Sequence, residues 1–193
     1  MYSKILDDRW MGEVVDSRYG IIRDARLISA DDGDPRLHWA WAEPSDSRYV
    51  FGQQTLNRGS AVSYSSEREL LQSCGETSER YCSGLYLLEQ LTYGTFDSLR
   101  EIAVDPSLFP ISIAHENSPS DELAASYTAE RYWCPTVSLR KKELKLVPAE
   151  FVYVPFLPDG YQPLADGIST GLACHSSFER AATGAVLEVV ERD

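Results

Sequence analysis

The chain has 193 residues, of which 43% are hydrophobic and 25% are charged, so it is long enough to bury the core of one globular domain. Its formal charge of −12 at pH 7 argues against a nucleic-acid-binding surface, because binding to phosphates requires clustered lysine and arginine. The amino terminus lacks the basic start and apolar run of a signal peptide, and no segment approaches the roughly 18 apolar residues of a membrane span. These features predict a cytoplasmic protein that binds neither nucleic acid nor membrane.

The first half of the chain is predicted to contain strands followed by helix. Alternating and β-branched patterns indicate strands in three segments: Tyr19–Ile28, His38–Glu43 and Gly59–Tyr64. The run Asp31–Pro35 is rich in turn-forming residues and predicts a turn. A long helix is expected to begin at Ser65 or Ser66, which are acceptable N-caps, and further helix is expected over Leu85–Leu99, interrupted at Tyr93–Gly94.

The second half is predicted to be mainly strands and loops, with a helix at its end. Ser118–Tyr132 is interpreted as a short helix or an ordered loop. Three segments rich in β-branched and aromatic residues predict a meander: Trp133–Leu139, Glu143–Val147 and Phe151–Phe156. The basic run Arg140–Lys145 is interpreted as a turn, and Pro158–Pro163 as a loop. A strand at Ser169–Cys174 and a helix capped by Ser176 or Ser177 complete an α+β pattern.

One segment occurs twice, 112 positions apart, and each copy ends in Glu-x-x-Glu-Arg. Gly59–Arg80 aligns with Gly171–Arg192 without a gap, and eight of the 22 aligned positions are identical. Most of these identities are polar or small residues, whereas a repeat of packing alone would repeat apolar residues. We therefore predict two strand-turn-helix units, at about 57–84 and 167–193, whose helices begin at equivalent positions.

Each copy of the repeat places two carboxylates on one face of its helix. Residues three apart share a helix face, so the two glutamates of each copy project together. The four glutamates are Glu76, Glu79, Glu188 and Glu191. Clustered carboxylates repel one another, and their oxygens suit Mg²⁺, so two pairs facing one cavity would form a magnesium site. The arginine that ends each copy would supply charge for phosphate oxygens.

The same residues also fit an ordinary solvated helix face. In that interpretation Glu76–Arg80 and Glu188–Arg192 are surface ion pairs worth a few tenths of a kcal/mol each. The repeat argues for the metal site, because a solvated face has no reason to keep the same charges at the same spacing twice. Both interpretations stay open on the residues alone.

Other cofactor motifs are missing from the sequence. It contains neither a Walker loop nor Gly-x-Gly-x-x-Gly, which excludes those nucleotide sites as far as a sequence can. The four cysteines show no Cys-x-x-Cys spacing and the three histidines are scattered, so a zinc site is not expected. No residue is identified as catalytic.

Two motifs resemble the hallmark segments of the YcaO family. One is Ile168-Ser-Thr-Gly-Leu-Ala-Cys-His-Ser-Ser-Phe-Glu-Arg-Ala-Ala182 followed by Leu187-Glu-Val-Val-Glu-Arg-Asp193, and the other is Ser73-Cys-Gly-Glu-Thr-Ser-Glu-Arg-Tyr81. The resemblance covers most of the chain from about Gly20 onward. It implies an α+β, YcaO-like fold in which the duplicated units belong to a mixed or antiparallel sheet.

The resemblance also implies roles for particular residues. The implied Mg²⁺ ligands are Glu76, Glu79, Glu188 and Glu191. The implied nucleotide contacts are Ser169, Thr170, Arg80 and Arg192. Two positions depart from the family pattern, since Gln72 replaces a frequent serine and Arg180 replaces a common acidic residue. An arginine cannot ligate a cation, so either the adjacent Glu179 substitutes through a local shift or one metal site is weakened.

The activity that the resemblance implies is ATP- and Mg²⁺-dependent phosphorylation of a peptide amide oxygen. This oxygen is a poor leaving group until it carries phosphate, and positioning and charge neutralisation then supply the catalysis. The expected product is an azoline on a ribosomally synthesised precursor peptide. The alternatives are thioamide formation with a sulfur donor, and a truncated noncatalytic fragment that binds peptide or acts as a scaffold.

Length is the largest departure from the family, whose members are much longer. We expect residues 1–193 to form a single YcaO-like domain that is an incomplete, amino-terminal portion, with the carboxyl-terminal half missing or carried by a second polypeptide. The other expected partners are the precursor peptide and a leader-binding, E1-like or sulfur-delivering protein. A homodimer is also compatible with the sequence.

Overall fold

The structure is a computed structural model that describes residues 9–28, 33, 35, 37–48, 58–109 and 126–192. The described helices and strands, in chain order, are α1 (Arg9–Val14), β1 (Ile22–Ile28), β2 (His38–Pro44), β3 (Gly59–Ser63), α2 (Ser66–Ser83), β4 (Thr92–Gly94), α3 (Phe96–Leu99), β5 (Arg131–Val137), β6 (Leu144–Pro148) and α4 (Phe178–Arg192). The chain divides into two compact units: unit 1 is Met1–Gly84 with Ser169–Asp193, and unit 2 is Leu85–Ile168. None of the described helices is long and apolar enough to cross a bilayer.

Unit 1 is built on the antiparallel sheet β1-β2-β3, and α2 packs on one face of it. Strand β2 reads His-Trp-Ala-Trp-Ala, and successive side chains of a strand point to opposite faces. Ala40 and Ala42 are completely buried and form the core with Leu70 and Cys74 of α2. Small alanine side chains on the inner face let the helix approach the sheet closely.

Strand β3 lies very close to α2 at Gly59. A Cβ atom there would lie 2.3 Å from the Ser73 carbonyl oxygen, so no larger residue fits without movement. The Gly59 N–H donates a 2.8 Å hydrogen bond to Thr77 Oγ1, which lies 3.1 Å from the Ala42 carbonyl oxygen. Thr77 therefore ties α2 to both β2 and β3 and sets the height of the helix above the sheet.

Unit 2 contains the antiparallel sheet β4-β5-β6. Its core includes Phe96, Trp133 and Leu146, and the Trp133 indole N–H donates to the Gly94 carbonyl oxygen at 2.9 Å. A buried ion pair joins Arg131 Nη1 to Glu150 Oε1 at 3.1 Å, with side-chain exposures of 4% and 2%.

The α+β class and the antiparallel sheets confirm the predicted fold. Most of the predicted elements are also confirmed, and four of the confirmed segments correspond to β1, β2, β5 and β6. The basic run Arg140–Lys145 turns between β5 and β6, with Lys142 at φ 59°. The helices of the two repeats begin at Ser66 and Phe178, which are equivalent positions 112 residues apart.

Three predicted elements are wrong. Leu85–Leu99 is not a helix interrupted once, because Thr92–Gly94 pairs with β5 and leaves only short helical turns on either side. Phe151–Phe156 is not the third strand of the meander, because its first residue ends the short helix Ala149–Phe151 and it includes Pro155. The third strand of that sheet is β4. Ser169–Cys174 is irregular, because Gly171 at φ 89° breaks an extended course.

Two further predictions lie partly outside the described residues. The turn at Asp31–Pro35 is described only at Gly33, which has φ 100° in a turn, and at Pro35. Of Ser118–Tyr132, only residues 126–132 are described, and they form one helical turn and the start of β5.

Candidate functional site

Glu76 on α2 is held by backbone and side-chain hydrogen bonds. The Ser60 N–H in β3 donates to Glu76 Oε2 at 2.8 Å, and Arg80 Nη2 lies 3.4 Å from Glu76 Oε1. The approach of β3 to α2 at Gly59 brings the strand amide within reach of this carboxylate. Glu76 is thus oriented by the first repeat itself.

Glu188 on α4 is held in the same manner. The Gly171 N–H donates to Glu188 Oε2 at 3.1 Å, and Arg192 Nη2 lies 2.8 Å from Glu188 Oε1. Arg192 Nη1 also donates to Thr170 Oγ1 at 3.0 Å. In each repeat, therefore, the first glutamate of Glu-x-x-Glu-Arg accepts a hydrogen bond from a backbone amide in the segment before the helix. The same glutamate forms an ion pair with the arginine four residues later.

Glu79 connects the two repeats electrostatically. Its side chain is 17% exposed, and Arg80 Nε lies 3.7 Å from Glu79 Oε1. Burial raises the pKa of Glu79; Arg80 opposes the rise, while the carboxylates of Glu188 and Glu76 add to it. The carboxylates of Glu76 and Glu188 therefore lie within electrostatic range of Glu79, and we refer to these three residues as the carboxylate cluster.

The other predicted site residues are less closely joined. Glu191 is exposed near the end of α4 and forms no hydrogen bond or ion pair with the described residues. Ser169 contributes only its carbonyl oxygen, which accepts from the Leu172 N–H at 3.0 Å. Gln72 and Arg180, the two departures from the family pattern, are both exposed, and so is Glu179 beside Arg180.

The carboxylate cluster fits a hard cation by the chemistry of its donors. Carboxylate oxygens are ligands that Mg²⁺ prefers, and a cation would relieve the repulsion among the carboxylates, which adds to the rise in the Glu79 pKa that burial causes. Within the described part of the chain, however, no three His, Cys, Asp or Glu side chains lie close enough to hold a metal ion, so these carboxylates would need further oxygen ligands. Arg80 Nε is buried without an acceptor, so one donor beside the cluster is unsatisfied. These residues fit a cation together with an oxygen-rich ligand.

Sequence reasoning missed Thr77 and the backbone amides that position the glutamates. Thr77 lies between the two glutamates of the first repeat, and its burial between strands is a tertiary property with no signal in the repeat. Gly59 and Gly171 did carry a signal, since both are identities of the repeat. Their roles differ, because Gly59 permits close packing and Gly171 takes a positive φ and donates to Glu188.

Cys174 is exposed, and its surroundings disfavour its thiolate. Burial raises the pKa of its thiol, and the carboxylate of Glu79 adds to the rise. An activated cysteine needs the opposite shift, since the thiolate is the reactive form.

Comparison with known families identifies this architecture. A family model described as YcaO cyclodehydratase, ATP- and Mg²⁺-binding, matches residues 65–193. The chain therefore belongs to the YcaO family, as its two motifs predicted. ATP and Mg²⁺ are the cofactors given for that family, in agreement with the sequence analysis.

Solved structures share the fold at low sequence identity. One, described as a heterocyclase in complex with substrate and cofactor, has a TM-score of 0.70 and 19% identity, over 93% of this chain and 26% of that chain. Another, YcaO from Methanopyrus kandleri bound with AMPPCP and Mg²⁺, has a TM-score of 0.61 and 18% identity, over 95% of this chain and 41% of that chain. This chain thus spans less than half the length of either structure. None of the curated proteins matches it in sequence.

Proposed function

We propose that this chain takes part in ATP- and Mg²⁺-dependent activation of peptide backbone amides, giving azoline heterocycles on a ribosomally synthesised precursor peptide. The observation that carries the proposal is the carboxylate cluster, in which two helices of one repeated motif present equivalently held glutamates. Membership of a family described as an ATP- and Mg²⁺-binding cyclodehydratase supports it. The location that we propose is the cytoplasm.

The residues proposed to hold Mg²⁺ are Glu76, Glu79, Glu188 and Glu191. When bound, Mg²⁺ would neutralise charge on the phosphates of ATP. Arg80 and Arg192 are proposed to contact phosphate oxygens, and Ser169 and Thr170 to lie beside the nucleotide. The buried Arg80 Nε, which lacks an acceptor among the described residues, is a suitable donor for such an oxygen.

The arginines also orient the glutamates before any ligand arrives. Arg192 bonds Glu188 and Thr170 at once, so it links the end of α4 to the segment that precedes the helix. A guanidinium has five N–H donors, so Arg192 can keep one of these contacts while another donor meets a phosphate. This preorganisation reduces the entropy lost when substrates bind.

The proposed reaction uses the peptide's own nucleophile. A Cys, Ser or Thr side chain of the peptide loses its proton and adds to the amide carbonyl carbon, and the amide oxygen takes the γ-phosphoryl group of ATP with release of ADP. Phosphate then leaves this carbon while the amide nitrogen loses its proton, which forms the C=N bond of the azoline. A thioamide-forming enzyme with a sulfur-delivering partner is the alternative within the family. In either case we propose a precursor peptide, a leader-binding or sulfur-delivering protein, and a carboxyl-terminal half as partners.

A noncatalytic fragment that binds peptide or acts as a scaffold is the second candidate, and the exposed Glu191, which makes no hydrogen bond or ion pair with the described residues, favours it. ATP turnover by residues 1–193, alone and with precursor peptide, separates the two. Catalysis predicts Mg²⁺-dependent ATP hydrolysis that falls at least about 100-fold in Glu191→Gln. Glu67→Gln, an exposed first-turn position of α2, is the matched control and should keep full turnover.

Calorimetric titration of Mg²⁺ with AMPPCP gives a readout that does not need turnover. Binding that is lost in Glu79→Gln but kept in Glu67→Gln supports the metal assignment. Peptide affinity without ATP hydrolysis supports the noncatalytic fragment. If neither Mg²⁺ nor nucleotide binds, the glutamates are a solvated helix face and the proposal is wrong. The intact mass of the natural protein, compared with 21.6 kDa, shows whether this chain is part of a longer polypeptide.

A further inference from the structure

Unit 2 contains a cavity of about 290 Å³ that the proposed function does not use. It is formed by β4, the start of β5 and the loop at residues 158–163, so every wall belongs to one compact unit. We call it the tyrosine cavity, after Tyr93, Tyr132 and Tyr161, which line it. Its volume is at the lower end of the roughly 300–1,000 Å³ typical of ligand sites, so it suits a single side chain.

The three tyrosine rings form a continuous aromatic wall. Tyr93 and Tyr132 are cross-strand partners, with ring centroids 4.8 Å apart, and the Tyr132 and Tyr161 centroids are 5.8 Å apart. The Tyr161 hydroxyl donates to Glu150 Oε2 at 2.7 Å, which fixes that ring. Tyr93 is 55% exposed and so offers its ring to a ligand. Aromatic faces carry negative electrostatic potential and attract cations.

The charges around the tyrosine cavity are also negative. Glu130 and Asp159 line it, and neither forms an ion pair with any residue that the structure describes. Arg131 contributes to the wall, but its guanidinium is paired with Glu150, so these two charges cancel. Two uncompensated carboxylates therefore remain beside three aromatic rings, and this combination disfavours phosphates and favours a cation.

We propose that the tyrosine cavity binds the guanidinium group of an arginine side chain carried by a peptide. A planar guanidinium stacks on aromatic rings and makes paired hydrogen bonds to carboxylates, whereas an ammonium group is compact and more strongly hydrated. The free amino acid carries a hydrated α-ammonium and a hydrated α-carboxylate that would have to lose water next to the aromatic rings, whereas a blocked or peptide-linked arginine carries neither and fits better. Neither ATP nor Mg²⁺ is needed for this binding, and it stands or falls independently of the proposed function.

Ligand-detected NMR titration of the full chain with Nα-acetyl-arginine amide, without ATP or Mg²⁺, tests the proposal. We expect a Kd of roughly 1 mM, because a ligand of this size makes few contacts and a single charged group anchors it. The citrulline analogue, which has the same shape without the charge, should bind at least about tenfold more weakly. Free arginine should also bind more weakly than the blocked form. If the citrulline analogue binds as tightly as Nα-acetyl-arginine amide, the cavity does not select a cation and the proposal is wrong. If free arginine binds as tightly or more tightly, the ligand is not a peptide-linked arginine and the proposal is also wrong.

Matched variants locate the binding. Tyr93→Leu should weaken it about three- to tenfold, Tyr93→Phe should keep it, and Asp159→Asn should weaken it about threefold or more. The control for Tyr93 is the exposed Tyr64 changed to Leu, and the control for Asp159 is the exposed Asp166 changed to Asn. Circular dichroism confirms that each variant is folded. If the cavity variants weaken binding no more than their controls do, the site is elsewhere and the proposal is wrong.

Discussion

Replacing Gly59 with Ala should destabilise unit 1 strongly. The new Cβ would lie 2.3 Å from the Ser73 carbonyl oxygen, 2.5 Å from Thr77 Oγ1 and 2.6 Å from the Thr77 backbone nitrogen. Two of these atoms are helix backbone, so β3 must move away from α2. Overpacking costs about 1–3 kcal/mol, and the strained Gly59–Thr77 hydrogen bond adds about 1 kcal/mol. We expect a loss of roughly 2–4 kcal/mol, which lowers Tm by roughly 4–16 °C in a chain of this size.

The matched control is Gly75→Ala, one residue before Glu76. A Cβ at Gly75 meets no heavy atom within 4 Å, and alanine favours a helix over glycine by about 1 kcal/mol. Thermal unfolding followed by far-UV circular dichroism should therefore show that Tm falls in Gly59→Ala and rises in Gly75→Ala. If Gly59→Ala is as well tolerated as Gly75→Ala, β3 does not abut α2 and the account of how Glu76 is positioned fails.

Two other substitutions test the buried charges. Glu79→Gln should raise Tm at neutral pH, because the folded-state pKa of Glu79 lies above its unfolded value and the ionised carboxylate therefore costs stability as pH rises through the raised pKa. This gain should shrink as the pH falls below the ordinary glutamate value of 4.5, where both states are protonated; a gain of the same size at both pH values would contradict it. Arg131→Met should cost about 3–5 kcal/mol by leaving the Glu150 carboxylate buried and unpaired. Urea unfolding followed by tryptophan fluorescence measures this loss. Glu150→Gln in the same chain should recover most of the lost stability, and a cost below about 1 kcal/mol would refute the reasoning.

The parts of the fold that could be predicted are those with local signals. The alternation in β2 and the capped, glycine-poor run of α2 depend on neighbouring residues, so pattern alone located them. Ser169–Cys174 has a similar alternation, but a strand also needs a partner. There the Gly171 N–H bonds Glu188 instead of a neighbouring strand.

The candidate site could also be predicted only in part, because some of its contacts depend on tertiary packing and not on neighbouring residues. Helical periodicity puts Glu76 beside Glu79, but the proximity of Glu79 to Glu188 depends on how the two repeats pack. The tyrosine cavity has no sequence signal, because the Tyr93–Tyr132 pair depends on the register of β4 against β5.

Helix α4 differs from its repeat partner α2 in one respect that affects ligand affinity. Leu70 and Cys74 of α2 are buried against the sheet, whereas none of the fifteen described residues of α4 is buried. The inner face of α4, which includes Ala181, Ala185 and Glu188, is only half-buried, so the helix gains less stability from packing and its amides should exchange with solvent faster than those of α2. Glu188 and Arg192 are in position only in the fraction of molecules in which α4 is formed. The apparent affinity of the site is lowered by that fraction, and anything that covers α4 should tighten magnesium binding without touching a single ligand.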